Sequence, residues 1–216
     1  MQITIREPGS AITHFIGMMM AVFASVPLLV KSGMSAGYSS FLAMGIFMLS
    51  MILLYGASAT YHTVMVSDRA LRIFRKIDHM MIFVMIAGSY TPVCLLVLSG
   101  KTGLMLLALV WGIALLGMVI NIVWITCPKW FSSLVYIALG WVCVLVFGQL
   151  RALLSIGAFL WLLAGGIVYT VGGVIYALKL PIFNKKHANF GSHEIFHLFV
   201  IGGSICHFIF MYGYVA

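Results

Sequence analysis

Of 216 residues, 63% are hydrophobic and only 7% are charged, and the mean hydropathy is +1.17, whereas an average soluble domain carries about 25% charged residues. A chain this short has no interior large enough to hide so much apolar surface, which excludes a soluble globular fold and predicts an all-α, polytopic membrane protein. The net charge of +8 is split among short loops, which suits anionic lipid headgroups and argues against a nucleic-acid partner.

Apolar stretches run approximately over 12–30, 41–66, 79–99, 102–125, 130–149, 153–178 and 194–215, each near or above the roughly 20 residues a membrane helix needs. They predict one seven-helix bundle spanning residues 1–216 as a single domain. The first span follows Arg6, Glu7 and Pro8 and carries no small-x-small cleavage site, so it reads as a retained span rather than a cleaved signal. Span two ends near His62. The basic run Arg69, Arg72, Arg75 and Lys76 reads as the loop that follows, with Asp68 in a solvated ion pair there. Span three opens on Asp78 and His79, and Pro92 predicts a kink inside it. Gly56, Gly88, Gly112, Gly117, Gly166 and Gly173 lie within spans, where small residues let helices approach closely. Cys94, Cys127, Cys143 and Cys206 are scattered and read as packing residues or free thiols. The methionines and tryptophans read as packing or interface residues. Span seven opens with His193, Glu194 and His197.

The basic residues set an expected orientation. Arg6, Arg69, Arg72, Arg75, Lys76, Lys129, Lys179, Lys185 and Lys186 fall on the side of the N-terminus, against Lys31, Lys101 and Arg151 on the other. Nine against three predicts a cytoplasmic N-terminus and an extracytoplasmic C-terminus. His14, His62, Asp78, His79, His193 and His197 then share one depth near the cytoplasmic leaflet, and His207 lies deep in the membrane.

His193 and His197 are one helical turn apart and project from one face, which is metal-ligand spacing. An ionisable residue at membrane depth is a functional hypothesis by default. With His62 they supply the three imidazoles of a catalytic zinc site with an open position. Asp78, at the start of its span, is kept ionised by the helix dipole; it can orient a water as general base or hold the histidine shell from outside. Ser58 lies one turn before His62 on the same face and can donate a hydrogen bond within the site. Plainer readings stand beside these. The three histidines can hydrogen-bond neighbouring helices, Asp78 can cap its helix or pair with Arg75 or Lys76, and Ser58 can bridge two helices. His79 is turned about 100° from Asp78 around the helix and reads as structural. Glu194 is turned off the histidine face, toward headgroups or a cation. His14 and His207 read as buried hydrogen-bonding residues.

Three segments, Ser58-Ala-Thr-Tyr-His62, Lys76-Ile-Asp78-His79 and His193-Glu-Ile-Phe-His197, resemble the signature segments of the progestin and adipoQ receptor superfamily. Glu7-Pro-Gly-Ser-Ala-Ile-Thr-His14, Ala87-Gly-Ser-Tyr-Thr-Pro92 and Gly202-Gly-Ser-Ile-Cys-His207 are similar to its bacterial hemolysin III branch. The resemblance implies seven helices with a cytoplasmic N-terminus in a bacterial plasma membrane, zinc held by His62, His193 and His197, and the family's aspartate at Asp78. Adiponectin receptors of this superfamily resemble zinc-dependent hydrolases of ceramide-type amides, and bacterial members are associated with hemolysis and membrane homeostasis. The resemblance therefore implies a zinc-dependent, ceramidase-like hydrolase of amide or ester bonds in membrane lipids. A receptor or sensor with structural zinc and a pore-forming cytolysin are the alternatives. Pro8-Gly9 stand where relatives often carry other residues, and Glu7 is left without an assigned role. Span seven holds no lysine for a retinal Schiff base, which argues against light-driven pumping.

Overall fold

The computed structural model describes residues 5–35, 37–124, 127–178 and 191–216; Lys179, Lys185, Lys186 and His187 lie outside them. Among the described residues every regular element is a helix and no strand occurs, and seven helical stretches are long and apolar enough to cross a membrane. Helix α1 is Pro8–Ser35, α2 is Gly37–Thr63, and α3 is Asp68–Pro92. The third stretch continues past Pro92 as a wider π-helical turn over Val93–Leu98, so the expected kink takes the form of a change in helical pitch. Proline has no N–H to offer the carbonyl one turn back, and a local shift in hydrogen-bond register absorbs the loss. Helix α4 is Gly100–Val123.

The fifth stretch is broken: α5 (Lys129–Gly140) tightens into a 3-10 segment over Trp141–Val146 before α6 (Phe147–Leu153). The Tyr90 hydroxyl holds this break, donating to the Gly140 carbonyl at 2.6 Å and accepting from the Cys143 N–H at 2.9 Å. Helices α7 (Ile156–Leu178) and α8 (Ser192–Phe210) complete the set. Helix α1 packs along α2, α2 along α3, and α7 along α8, while α1 also touches α8. The first and last spans are thereby neighbours. Leu28, Met44, Phe47, Tyr55, Val110 and Phe210 sit in the core, and side chains such as Phe23, Val26 and Leu145 face outward, as a lipid-facing surface requires.

Two expectations about α3 are corrected. Arg69, Arg72, Arg75 and Lys76 form the first turns of α3 rather than a loop. Ser67 caps that start by accepting from the Ala70 N–H, and the Asp68–Leu98 stretch, 31 residues, is about 46 Å long by helical rise. That exceeds the roughly 30 Å of hydrocarbon, so its basic turns can stand clear of it. Asp78 accordingly lies nearly three turns inside α3, beyond the reach of the helix-terminus dipole, which fades within the first turn. Asp68 instead takes that terminal position; it is exposed, with no cation within 4 Å among the described residues. Gly112 also departs from expectation, since a Cβ there would meet nothing within 4 Å.

Candidate metal centre

His62 is in the last turn of α2, and His193 and His197 are in the first two turns of α8. One nitrogen from each lies within 4.8 Å of the others, so the trio could hold a metal ion. His62 and His197 are each 2% exposed.

The residues just before and inside α1 decide which nitrogens are available. The His62 Nδ1 is bonded to the Glu7 carboxylate, which can only accept, so that nitrogen carries the proton. The Thr13 hydroxyl spends its single proton on the Gly9 or Ser10 carbonyl, at 3.0 and 2.9 Å. Toward the His197 Nδ1, 3.1 Å away, its oxygen therefore accepts. In both rings Nδ1 carries hydrogen and the Nε2 lone pair is left free, the tautomer a metal ligand needs. The His62 and His193 Nε2 atoms are 3.2 Å apart. Two nitrogens bound to one tetrahedral ion at about 2.0–2.1 Å stand about 3.3 Å apart, so the donor set fits such an ion.

Glu7 was the residue without a role, and the structure gives it three contacts. Besides His62, its carboxylate pairs with Arg6 at 3.6 Å, and the Arg6 guanidinium lies 4.1 Å from the centre of the Tyr61 ring. The backbone N–H groups of Arg6 and Glu7 donate to the Thr63 and His62 carbonyls at 3.5 and 3.0 Å, satisfying two of the carbonyls left open where α2 ends. The bond to His62 and the charges beside it hold the Glu7 carboxyl below the usual carboxylate range, against the opposing effect of partial burial. Glu194 serves its own helix rather than headgroups. Its carboxylate accepts from the Gly191 N–H at 2.7 Å and from the Ser10 hydroxyl at 2.5 Å.

Asp78 and Ser58 are buried, 7% and 1% exposed. The Asp78 carboxyl faces the Ser58 hydroxyl and the His62 ring, while Glu7, not Asp78, takes the outer nitrogen of His62. Asp78, Ser58, His193 and His197 line one end of a cavity of about 150 Å³ that extends past Ile82, Phe196 and Val200 to Tyr90, Trp141 and His207. By this measure one water needs roughly 10–15 Å³, so the space can admit a chain of atoms. A smaller cavity of about 50 Å³ shares Tyr90, Trp141 and His207 and runs deeper. His79 lines the larger cavity too, and its backbone carbonyl accepts from Tyr136 at 3.4 Å. His14 is not the hydrogen-bonding residue expected. Its ring stacks on His197, with centroids 3.5 Å apart and planes within 11°, and neither nitrogen has a hydrogen-bond partner among the described residues. His207 lies edge-on to Tyr169 and beside the Leu162 backbone.

Seven membrane-length helices with three imidazoles meeting beside an apolar cavity define a multi-pass integral membrane protein with a candidate metal centre. The model of the family described as Haemolysin-III related matches residues 2–208, and the chain belongs to that family. It is 34% identical to Hemolysin-3 of Bacillus cereus over 214 residues, covering 99% of this chain and 94% of that protein. It is 36% identical to the Hemolysin-3 homolog of Bacillus subtilis (strain 168) over 206 residues, covering 95% and 92%. A more distant likeness, 22% identity over 237 residues, links it to the Adiponectin receptor protein of Drosophila melanogaster, of which it covers 49%.

Proposed function

We propose that the chain is a zinc-dependent intramembrane hydrolase of amide or ester bonds in membrane lipids. The observation that carries this reading is the convergence of His62, His193 and His197, of which His193 and His197 line a cavity whose walls are otherwise mostly apolar, together with Asp78 and Ser58. A donor set of three imidazoles and no thiolate, with an acid at hand, matches zinc used for hydrolysis rather than a closed structural site. Zinc bound there supplies Lewis acidity toward a lipid carbonyl and toward water. The protein's own groups do the rest. Glu7 and Thr13 fix the imidazoles, and the apolar walls align an acyl chain so that its carbonyl stops beside the histidines. Asp78 takes the proton of the attacking water and returns it to the departing amine or alcohol. Ser58 orients the Asp78 carboxyl by hydrogen bonding.

The test uses purified protein with one zinc per chain and a panel of lipid amides and esters, scored by fatty acid release. Turnover that falls about 10²–10⁴-fold in Asp78→Asn, with zinc retained, is expected. No turnover on any lipid by the zinc-loaded protein would refute the assignment. If the metal were only structural, as in a sensor, His62→Ala would unfold the bundle, whereas the hydrolase reading expects a folded, inactive protein. The Bacillus cereus relative's name carries a lytic function. Membrane conductance that survived replacement of all three histidines would favour that second reading.

A further inference from the structure

The candidate site has a charged neighbour that the hydrolytic reading does not use. Arg75 lies one turn before Asp78 on α3, about 4.5 Å nearer the start of the helix. Among the described residues it is the only lysine or arginine lining the larger cavity, where it shares the wall with Ser133 and Tyr176. It is half-buried, whereas Arg69 and Arg72 on the same helix are exposed. Lys76 gives its ammonium to the Ile122 carbonyl at 2.7 Å, and Arg6 is taken up by Glu7 and Tyr61.

Three of the four acids are committed elsewhere. Glu7 holds His62 and Arg6, Glu194 holds Ser10 and the start of α8, and Asp68 is exposed. The fourth, Asp78, is near enough to feel the Arg75 charge, but no carboxylate among the described residues lies within 4 Å of Arg75. A half-buried guanidinium with no carboxylate in contact carries a desolvation cost that Asp78, at longer range, offsets only in part and a bound oxyanion offsets further. Its planar fork suits the two-point geometry of a phosphate.

We propose that Arg75 binds the phosphate of a glycerophospholipid whose acyl carbonyl sits at the histidine end of the cavity. One helical turn between Arg75 and Asp78 is the order of separation between a phosphate and an ester carbonyl across glycerol. The cavity thereby selects anionic phospholipids over neutral lipids with the same chains. This assignment rests on the reading of the cavity as a lipid site, but not on turnover.

The test measures binding of a fluorescent phosphatidylglycerol and of the diacylglycerol with identical chains to zinc-loaded protein in an uncharged detergent. The wild type should prefer phosphatidylglycerol by about tenfold or more, the scale of a charge-assisted pair. Arg75→Gln should remove that preference with zinc content and melting temperature unchanged, Arg75→Lys should keep part of it, and Arg72→Gln should keep all of it. Equal losses in Arg72→Gln and Arg75→Gln would mean general attraction to a basic surface and would overturn the proposal. So would equal wild-type affinity for both lipids, or an Arg75-dependent preference seen only for oleate over its methyl ester, which would assign the site to a fatty acid carboxylate. Arg75-dependent binding without turnover would refute hydrolysis and leave this site standing. Turnover of neutral lipids indifferent to Arg75 would do the reverse.

Discussion

Replacing Glu7 with alanine removes the carboxylate that holds His62 and pairs with Arg6, and so measures its contribution to the candidate metal centre. The wild-type carboxylate accepts from the His62 Nδ1–H, fixing both the tautomer and the direction of the Nε2 lone pair. Hydrogen bonds to charged groups contribute roughly 1.5–3 kcal/mol. The Glu7 side chain is 46% exposed, so water takes over part of the role and the loss is about 1–2 kcal/mol. Zinc affinity, measured by competition with a chromogenic chelator, should then fall by about fivefold to thirtyfold. Glu7→Gln keeps an accepting oxygen without the charge and should fall less. Thr13→Val removes a neutral acceptor from His197 and should cost about 0.5–1.5 kcal/mol. Unchanged zinc affinity in Glu7→Ala would refute the reasoning. So would a drop in affinity matched by lower thermal stability of the metal-free protein, because Glu7 would then be holding the fold rather than the ligand.

Other consequences are open to direct measurement. His62→Ala, His193→Ala and His197→Ala should each lose stoichiometric zinc through gel filtration, while Glu194→Gln, between two of them in sequence but bonded elsewhere, should keep it. The Glu7 carboxyl is held below its ordinary range, so its link to His62 is complete above that range and lost as pH falls through the lowered value. Amide-exchange protection of the Glu7 N–H, bonded to the His62 carbonyl, should therefore hold through mildly acidic pH and fall only below the ordinary carboxylate range; loss above that range would contradict this. A Cβ at Gly103 would stand 2.0 Å from the Cys94 carbonyl oxygen, whereas one at Gly112 would meet nothing. Gly103→Ala should destabilise by about 1–3 kcal/mol and Gly112→Ala should leave the melting temperature in detergent nearly unchanged or slightly raised.

Hydropathy made the seven spans legible because membrane length and apolar composition leave few alternatives. The start of α3 was hidden for the same reason: its charged first turns look like a loop to any hydropathy measure, and only the Ser67 cap and the spacing of Arg72, Arg75 and Asp78 along one helix carry the signal. The three histidines could be read from their spacing and from their common place near span ends. Glu7 could not be assigned because its partner is 55 residues away and nothing local distinguishes a carboxylate aimed at an imidazole from one aimed at water. A signal did exist in its scarcity, since it is one of four acids in the chain and stands at the edge of an apolar span. The stacking of His14 on His197 left no trace in the sequence, because it depends on how closely α1 and α8 approach.

The separation of 131 positions between His62 and His193 also imposes an order of assembly in time. During synthesis, at about 5–20 residues per second, Glu7 and His62 emerge and can join well before the last span exists. For something on the order of ten seconds the nascent chain has one ligand in place and no second one within reach. On the proposed zinc reading the three imidazoles meet only when the final helix docks against the first, so a loaded centre would be a chemical record that the first and last spans have come together.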